Sequence, residues 1–451
     1  MRRSAWSRWG VGCLVAVLAF GACTDDAEPA DPRGVAPSPR GPETPQRGGS
    51  AVFGVLGEPP TLDPYAWKAT DLTYALVRPI YPSLYRFDPR GRPVPYLAES
   101  LEPTSEGVRV HLAELRWSDG TPITSRDVAA SVRRARAPSG FARVRGVRAS
   151  GPRTVVLSGR VDDWEFALAT AAFVLPDGRS ARPGGRFGGP FVLAGQRPGL
   201  QVVYEPNPQW GDGAPNLERL KVQFVASVGF LLDLLERGDL DGAAVPSSVN
   251  LDDRLAARGI GHAEALGWES VYLDFRASGL GARERRALVG ALDLGVLSEG
   301  IVRDDGRVAR TLHPAPGPDG ASGPFADGGR GSISGVPVLL TGPGGDELIG
   351  LTTRIIQRQL NSAGAAAEIA PAEPSAVYGG GRGDPGGVKI LRSAGVPGAT
   401  DPRRAARSLD LYPLFHVESV VAFRGTLKAV EVNPSIEGPL WNAEQWWAGA
   451  P

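Results

Sequence analysis

From Ser50 onward the chain alternates short apolar or period-two runs with turn signals. Ala51 to Val55, Val108 to Leu112, Thr154 to Leu157, Gln201 to Tyr204, Lys221 to Val225, Val271 to Phe275, Val336 to Leu340 and Val388 to Leu391 read as strands. Helical spacing intervenes. Thr124 to Ala135 opens with Thr124 and Asp127 three apart, the spacing of a capping box, and puts Val128 and Val132 on one face. Val228 to Arg237 is a second helix, stopped at Gly238, a residue suited to a left-handed cap. The clearest unit lies further on. The run VPVLL is followed by the turn TGPGGD with Asp346 as N-cap, then by a stripe of Leu348, Leu351, Ile355 and Leu360 that ends at Gly364, then by AAAEI. Strand, helix, strand is the grammar of an α/β layer.

The first 49 residues follow other rules. Arg2, Arg3 and Arg8 precede an apolar run from Val11 to Ala22, too short to span a bilayer comfortably and of the size of a signal-peptide core. The run closes on Leu18-Ala19-Phe20-Gly21-Ala22-Cys23, which resembles a bacterial lipobox, with Phe20 where a branched aliphatic residue is usual. Residues 1–22 are therefore expected to be a lipoprotein signal peptide and Cys23 the lipid-bearing residue, with an uncleaved signal anchor as the alternative. Residues 24–49 contain six prolines and no aromatic, the composition of an extended tether. The only other cysteine, Cys13, lies inside the expected leader, so the folded part can form neither a disulfide nor a cysteine metal site.

Composition narrows the function classes. The chain has 451 residues, 42% of them hydrophobic, with 49 basic and 49 acidic side chains. That length suggests two or three domains and permits a large core. Zero net charge argues against a general nucleic-acid or anionic-membrane binder. Of the basic residues only Lys68, Lys221, Lys389 and Lys428 are lysines, which carries no functional message. His111, His262, His313 and His416 are far apart and none sits in an H-E-x-x-H pattern, so no metal site is expected. There is no G-x-S-x-G elbow and no P-loop lysine. Gly381 to Gly386 formally matches G-x-G-x-x-G, but it precedes a strand, VKIL, instead of a helix, so it has no helix N-terminus to hold a phosphate. What the chain does have is aromatics at loop and strand edges, among them Trp67, Tyr74, Tyr81, Tyr85, Trp117, Trp164, Trp210, Trp268, Tyr272, Trp446 and Trp447. Most should be core, and some can line a cleft.

Three ordered segments, RGGSAVFGVLGEPPTLDPY, LYRFDPRGRPVPYLAESLEP and LRWSDGTPITSRDVAASVRRA, resemble the N-terminal half of the extracytoplasmic solute-binding proteins of ABC transporters, the oligopeptide, dipeptide and nickel-binding family (family 5). GGPFVLAGQRPGLQVVYEPNPQWGDGAPNLERLKVQFV, LLERGDLDGA and the closing LYPLFHVESVVAFRGTLKAVEVNPSIEGPLWNAEQWW extend the resemblance over nearly everything from about residue 48. It implies an α/β, two-lobed, periplasmic-binding-protein-like fold of type II with an extra small subdomain and a ligand cleft between the lobes. Lobe I would comprise 48–87, 188–268 and 411–447, the small subdomain 88–187, and lobe II 269–410, with residues 23–47 as lipidated Cys and tether. The implied function is capture of a peptide-like or other small organic solute outside the cell and delivery to ABC transporter permease subunits, by a monomer anchored through its N-terminal lipid. No reaction, cofactor, metal or nucleic acid is implied. A degenerate surface sensor or scaffold without transport is the alternative reading, and an exported hydrolase a third.

The resemblance also implies site residues. Trp67 and Tyr74 would lie at the rim of lobe I, and Trp268 and Tyr272 on a strand crossing into lobe II, along which an extended peptide could pair by its backbone. Peptide-binding members usually carry an Asp-Tyr-x-Asp-Pro segment whose first Asp meets the ligand's amine. Here the corresponding stretch, Ala394 to Pro402, retains only Asp401-Pro402, and Gly398 stands in the amine-binding place. Lobe II also looks short. The candidate ligand-binding residues are thus Trp67, Tyr74, Trp268, Tyr272 and Asp401.

Overall fold

The computed structural model describes residues 44–135, 144–302, 331–393 and 408–449, apart from 67, 162, 181, 212, 249, 371 and 380–384, together with 308 and 309. The expected leader, Cys23, most of the tether, Trp67, Gly381 to Asp384 of the glycine run, Gly398 and Asp401 lie outside the described residues.

In chain order the strands are β1 (Ser50–Leu56), β2 (Tyr85–Phe87), β3 (Pro93–Pro95), β4 (Ala98–Thr104), β5 (Gly107–Leu112), β6 (Val144–Ala149), β7 (Thr154–Gly159), β8 (Phe191–Arg197), β9 (Gln201–Pro206), β10 (Arg219–Val225), β11 (Gly242–Pro246), β12 (Gly261–Asp274), β13 (Pro337–Thr341), β14 (Ala366–Ile369), β15 (Val388–Ser393), β16 (Leu411–Phe423), β17 (Leu427–Lys428) and β18 (Trp447–Ala448). The helices are α1 (Asp71–Val77), α2 (Ser125–Ala135), α3 (Trp164–Ala171), α4 (Val228–Arg237), α5 (Leu251–Ala256), α6 (Ala282–Gly290), α7 (Leu294–Val302), α8 (Glu347–Ser362) and α9 (Pro374–Gly379).

Local signals explain several of these. Thr124 caps α2 by donating both its backbone N–H and its hydroxyl to one Asp127 oxygen, each at 2.9 Å. Ser227 caps α4 by accepting from Phe230, and Gly238 ends it in the left-handed conformation at φ +84°. Asp346 caps α8 by accepting from the Ile349 N–H at 3.1 Å. The buried face of α8 differs from the expected stripe: Leu348, Ile349, Thr352, Thr353, Ile356 and Leu360 are buried, while Leu351 and Ile355 are only partly so. Two threonines can enter the core because their hydroxyls donate back to the Leu348 and Ile349 carbonyls, at 2.8 and 2.7 Å.

Ten strands form one sheet in the order β14-β13-β15-β12-β16-β11-β1-β10-β9-β8. β13 and β14 run parallel around α8, as the strand-helix-strand unit predicts. A second sheet, β4-β5-β7-β6, stands apart and is covered by α2. Between its first strands and α2, the turn Trp117 to Pro122 is structural. The Asp119 carboxylate accepts from the Thr121 N–H at 2.9 Å, and Trp117 is fully buried.

β12 and β16 hold the large sheet together. The first half of β12, Gly261 to Leu266, pairs with Glu418 to Phe423 of β16, which also pairs with β11. The second half, Ser270 to Asp274, lies between β15 on one side and Leu411 to His416 of β16 on the other. Buried side chains separate accordingly. One apolar core, including Val271 to Phe275, Leu288, Leu340, Ile356, Ile390 and Phe415, belongs to one end of these strands. Two others, built on Phe53, Leu84, Trp117, Tyr204 and Trp446 and on Leu231, Leu235, Leu255 and Ala422, belong to the opposite end. The molecule is therefore a two-lobed α/β protein whose lobes are joined by continuous strands.

The crossing itself is irregular. Register shifts occur between Leu266 and Ser270 and between Val271 and Tyr272. At the second shift Val271 faces Phe415 and Tyr272 faces Pro413, so Leu414 is the extra residue and Pro413 sits at a bulge, where a missing N–H is tolerated. At the first shift a Cβ on Gly267 would come within 2.6 Å of Ser419 Oγ and 2.9 Å of the Val417 carbonyl oxygen. Only glycine fits there without displacing the partner strand.

Candidate functional site

Where the lobes meet, polar groups from seven separate segments converge. Arg392, on β15, brings Nε to 3.1 Å from an Asp346 carboxylate oxygen and 3.3 Å from one of Glu269, which immediately follows Trp268 on β12. Its Nη1 donates to the carbonyl of Ser247, after β11, at 3.3 Å. Ser393 donates its hydroxyl to Asp71, the first residue of α1, at 3.1 Å. Arg254 of α5 reaches Glu347 at the start of α8 at 3.3 Å and also contacts Ser248. The Tyr378 hydroxyl of α9 donates to the Arg392 carbonyl at 3.4 Å. Each of the contacts from Arg392, Ser393 and Arg254 to Ser247, Asp71 and Glu347 ties one lobe to the other.

Electrostatically the junction is lopsided. Burial raises the Glu269 carboxyl above its ordinary value, Arg392 opposes that, and Asp71 and Asp346 add to the rise. Burial would lower the Arg392 guanidinium, but Glu269 and Asp346 outweigh it and hold Arg392 firmly charged. Arg392 is thus shared directly by two carboxylates, with Asp71 adding at longer range. The side chains of Glu269, Asp346 and Arg392 keep 25, 20 and 12% of their surface open, so the group borders solvent. Tyr378 keeps 45% of its surface open, yet burial pushes its phenol up, as expected of a ring on a cleft wall.

Of the residues singled out in the sequence, two border this junction. Burial pushes the Tyr74 phenol up to about 12, with the Asp71 carboxylate adding to it. The Tyr74 ring stacks on Phe173 at 6.0 Å. Tyr272 is 3% exposed, and its phenol is pushed up by burial and then by Tyr378, Asp274 and Asp71. Trp268 is 2% exposed, stacked on Phe166 at 5.7 Å and edge-on to Phe87 at 4.7 Å, so its ring packs in the core and aims β12 instead of facing the cleft. Trp67 and Asp401 lie outside the described residues.

One expectation is corrected. Backbone pairing of an extended peptide along Ser270 to Asp274 is unavailable, because β15 and β16 already occupy both edges of that segment. Sequence reading missed Asp71, Glu269, Asp346 and Arg392 as a group. A signal existed for one of them, since Asp346 was legible as a cap, but nothing local links the four.

The family model "Bacterial extracellular solute-binding proteins, family 5 Middle" matches residues 92–331, more than half of the chain. The chain belongs to that family. Members of family 5 are binding proteins and not enzymes, and the crossing strands give this chain the family's two-lobed layout. Protein XP55 of Streptomyces lividans is 28% identical over 293 residues, covering 60% of this chain and 53% of that protein. The chain thus spans about half the length of the curated relatives it matches. Among solved structures, the oligopeptide-binding protein AppA of Bacillus subtilis, in complex with a nonapeptide, superposes with a TM-score of 0.74 at 18% identity, covering 90% of this chain and 100% of that one. The binding protein AgaA of A. tumefacien R10, in complex with agropinic acid, gives a TM-score of 0.72 at 18% identity and covers 89% and 99%. These likenesses establish the fold. Among the described residues no helix is long and apolar enough to cross a membrane.

Proposed function

We propose that this family 5 protein captures a peptide-like or other small organic solute outside the cell and delivers it chemically unaltered to the permease subunits of an ABC transporter. The observation that carries the reading is the polar junction between two separately cored lobes connected by β12 and β16. A ligand held there touches both lobes at once, and contacts to both favour the closed state over the open one. The lipobox-like segment ending at Cys23 supports attachment to the outer face of the cell membrane through lipid, with residues 24–47 as spacer. The proposed layout has lobe I at 48–87, 188–268 and 411–447, a small subdomain at 88–187 and lobe II at 269–410.

The ligand chemistry follows from the charge balance. Asp71, Glu269, Asp346 and Glu347 outnumber Arg392 and Arg254, so the junction favours a solute bearing an amine or guanidinium, placed where Tyr74 and Tyr378 can pack against its apolar part. This cation anchor is distinct from the second-lobe Asp whose place the resemblance gives to Gly398. Native mass spectrometry of the purified full chain tests the reading. A co-purifying or added cationic solute should be retained intact, and Glu269→Gln should weaken its retention. A protein that stays empty and whose melting temperature ignores cationic and neutral peptide libraries alike would favour the sensor or scaffold reading instead.

A further inference from the structure

Away from the cleft, α5 and the opening of β12 bring an imidazole and two carboxylates together. His262 and Glu264 are alternate residues of β12 and project from one face, and Asp252 lies in the first turn of α5, packed over that face. The imidazole Nε2 is 3.8 Å from an Asp252 oxygen and 3.7 Å from a Glu264 oxygen, and the three donor atoms all lie within 4.8 Å of one another. Both separations exceed hydrogen-bond length, so the imidazole meets the two carboxylates in ion-pair contacts and not through direct hydrogen bonds. They are instead close to the spacing of atoms that share an ion. Ligands about 2.0 to 2.2 Å from a tetrahedral centre stand roughly 3.4 Å apart, a few tenths of an ångström less than the two nitrogen–oxygen separations. The three side chains are 60, 26 and 35% open, so an ion can reach them from solvent.

The geometry points to a divalent-cation site formed by Asp252, His262 and Glu264. One nitrogen and two oxygen donors suit a borderline metal such as Zn2+ better than Mg2+, which prefers oxygen ligands and keeps its waters. The remaining coordination positions would be filled by water. No sequence pattern announced this site, because the aspartate comes from a different element ten residues before the histidine. Its structural consequence is local bracing. α5 is only six residues long, and it carries Arg254, which reaches Glu347 across the lobes, while the loop before it supplies Ser247 to Arg392. An ion joining Asp252 to β12 fixes that helix.

The inference goes beyond the proposed function and stands whether or not the cleft binds a cationic solute. It is tested by titrating Zn2+ into the full chain, purified without a histidine tag and stripped of metal, by calorimetry, with melting temperature as a second readout. One Zn2+ should bind per chain, Mg2+ in large excess should not displace it, and His262→Ala and Asp252→Asn should each weaken binding at least tenfold. Zn2+ should raise the melting temperature of the native chain and not that of His262→Ala. All three side chains are solvent-accessible, so the metal-free variants should melt with the native protein, and Glu264→Gln gives a third independent check. Absence of saturable binding, or binding unchanged in His262→Ala, overturns the proposal, as does loss of binding in His111→Ala with His262→Ala unaffected.

Discussion

Removing the Glu437 charge should destabilise the protein far more than any surface ion pair would. Glu437 is fully buried beside Arg78, with Arg78 Nε 2.8 Å from its Oε2 and side-chain exposures of 4 and 0%. The approach is off the donor axis, so the two attract as charges without a well-aligned hydrogen bond. The other Glu437 oxygen accepts from the Phe87 N–H at 3.0 Å, and Arg78 also donates to Ser83 and lies over the Phe173 ring at 4.3 Å. At an effective dielectric of about 20, unit charges at this separation attract by about 6 kcal/mol, which is comparable to the cost of desolvating both. The intact pair is therefore near break-even, whereas breaking it strands a buried charge at about 3 to 5 kcal/mol. Against a total stability of about 5 to 15 kcal/mol that is a large loss. Arg78 caps the C-terminal end of α1, the helix that brings Asp71 and Tyr74 to the cleft, so the loss should reach the site. Urea unfolding followed by tryptophan fluorescence should show Glu437→Gln and Arg78→Met each weakened by about that amount. The double variant, which removes both charges yet keeps an acceptor for Phe87, should fall within about 1 to 2 kcal/mol of the native chain. Single variants that each cost under about 1 kcal/mol and simply add would refute the reasoning.

Two further outcomes follow from the hinge. Glu269 has its folded-state carboxyl raised by burial and by neighbouring acids, so the folded state binds more protons than the unfolded one over that range. Its stabilising contribution is complete below the ordinary glutamate value of 4.5 and is lost as pH rises through the raised one, so Glu269→Gln should flatten the fall in melting temperature above pH 4.5. An unchanged pH profile would count against a raised Glu269 carboxyl. Gly267→Ala places a methyl against Ser419 and the Val417 carbonyl and should cost about 1 to 3 kcal/mol in urea unfolding, with the loss shared by both lobes because β16 spans them.

Legibility in the sequence tracked the range of the forces involved. β10, α4 with its Gly238 stop, and α8 with its Asp346 cap are written in local period and capping chemistry, and the structure reproduces them. β12 was visible only from Val271, because Gly261 to Leu266 lacks β-branched residues and becomes a strand through its pairing with β16. Pro413 similarly disguised β16, and only the bulge that excuses it makes sense of the strand. The burial of Trp268 depends on Phe87 and Phe166, each about a hundred or more residues away, which no local reading supplies. The same holds for the cleft. Asp71, Glu269, Asp346 and Arg392 are ordinary charges in isolation and acquire meaning only when four elements bring them together. Segment order nevertheless carried the family, because ordered turns and strand edges such as Trp117 to Pro122 record the fold's connections.

The central claim is reversible capture between lobes, and calorimetric titration of a cationic peptide and its neutral isostere into the full chain, with mass spectrometry of the recovered ligand, tests it most directly. The account predicts saturable one-to-one binding that favours the cationic member, is weakened by Glu269→Gln, and returns the ligand with its mass unchanged. Equal affinity for both members with no effect of the substitution, or recovery of a cleaved ligand, would contradict it.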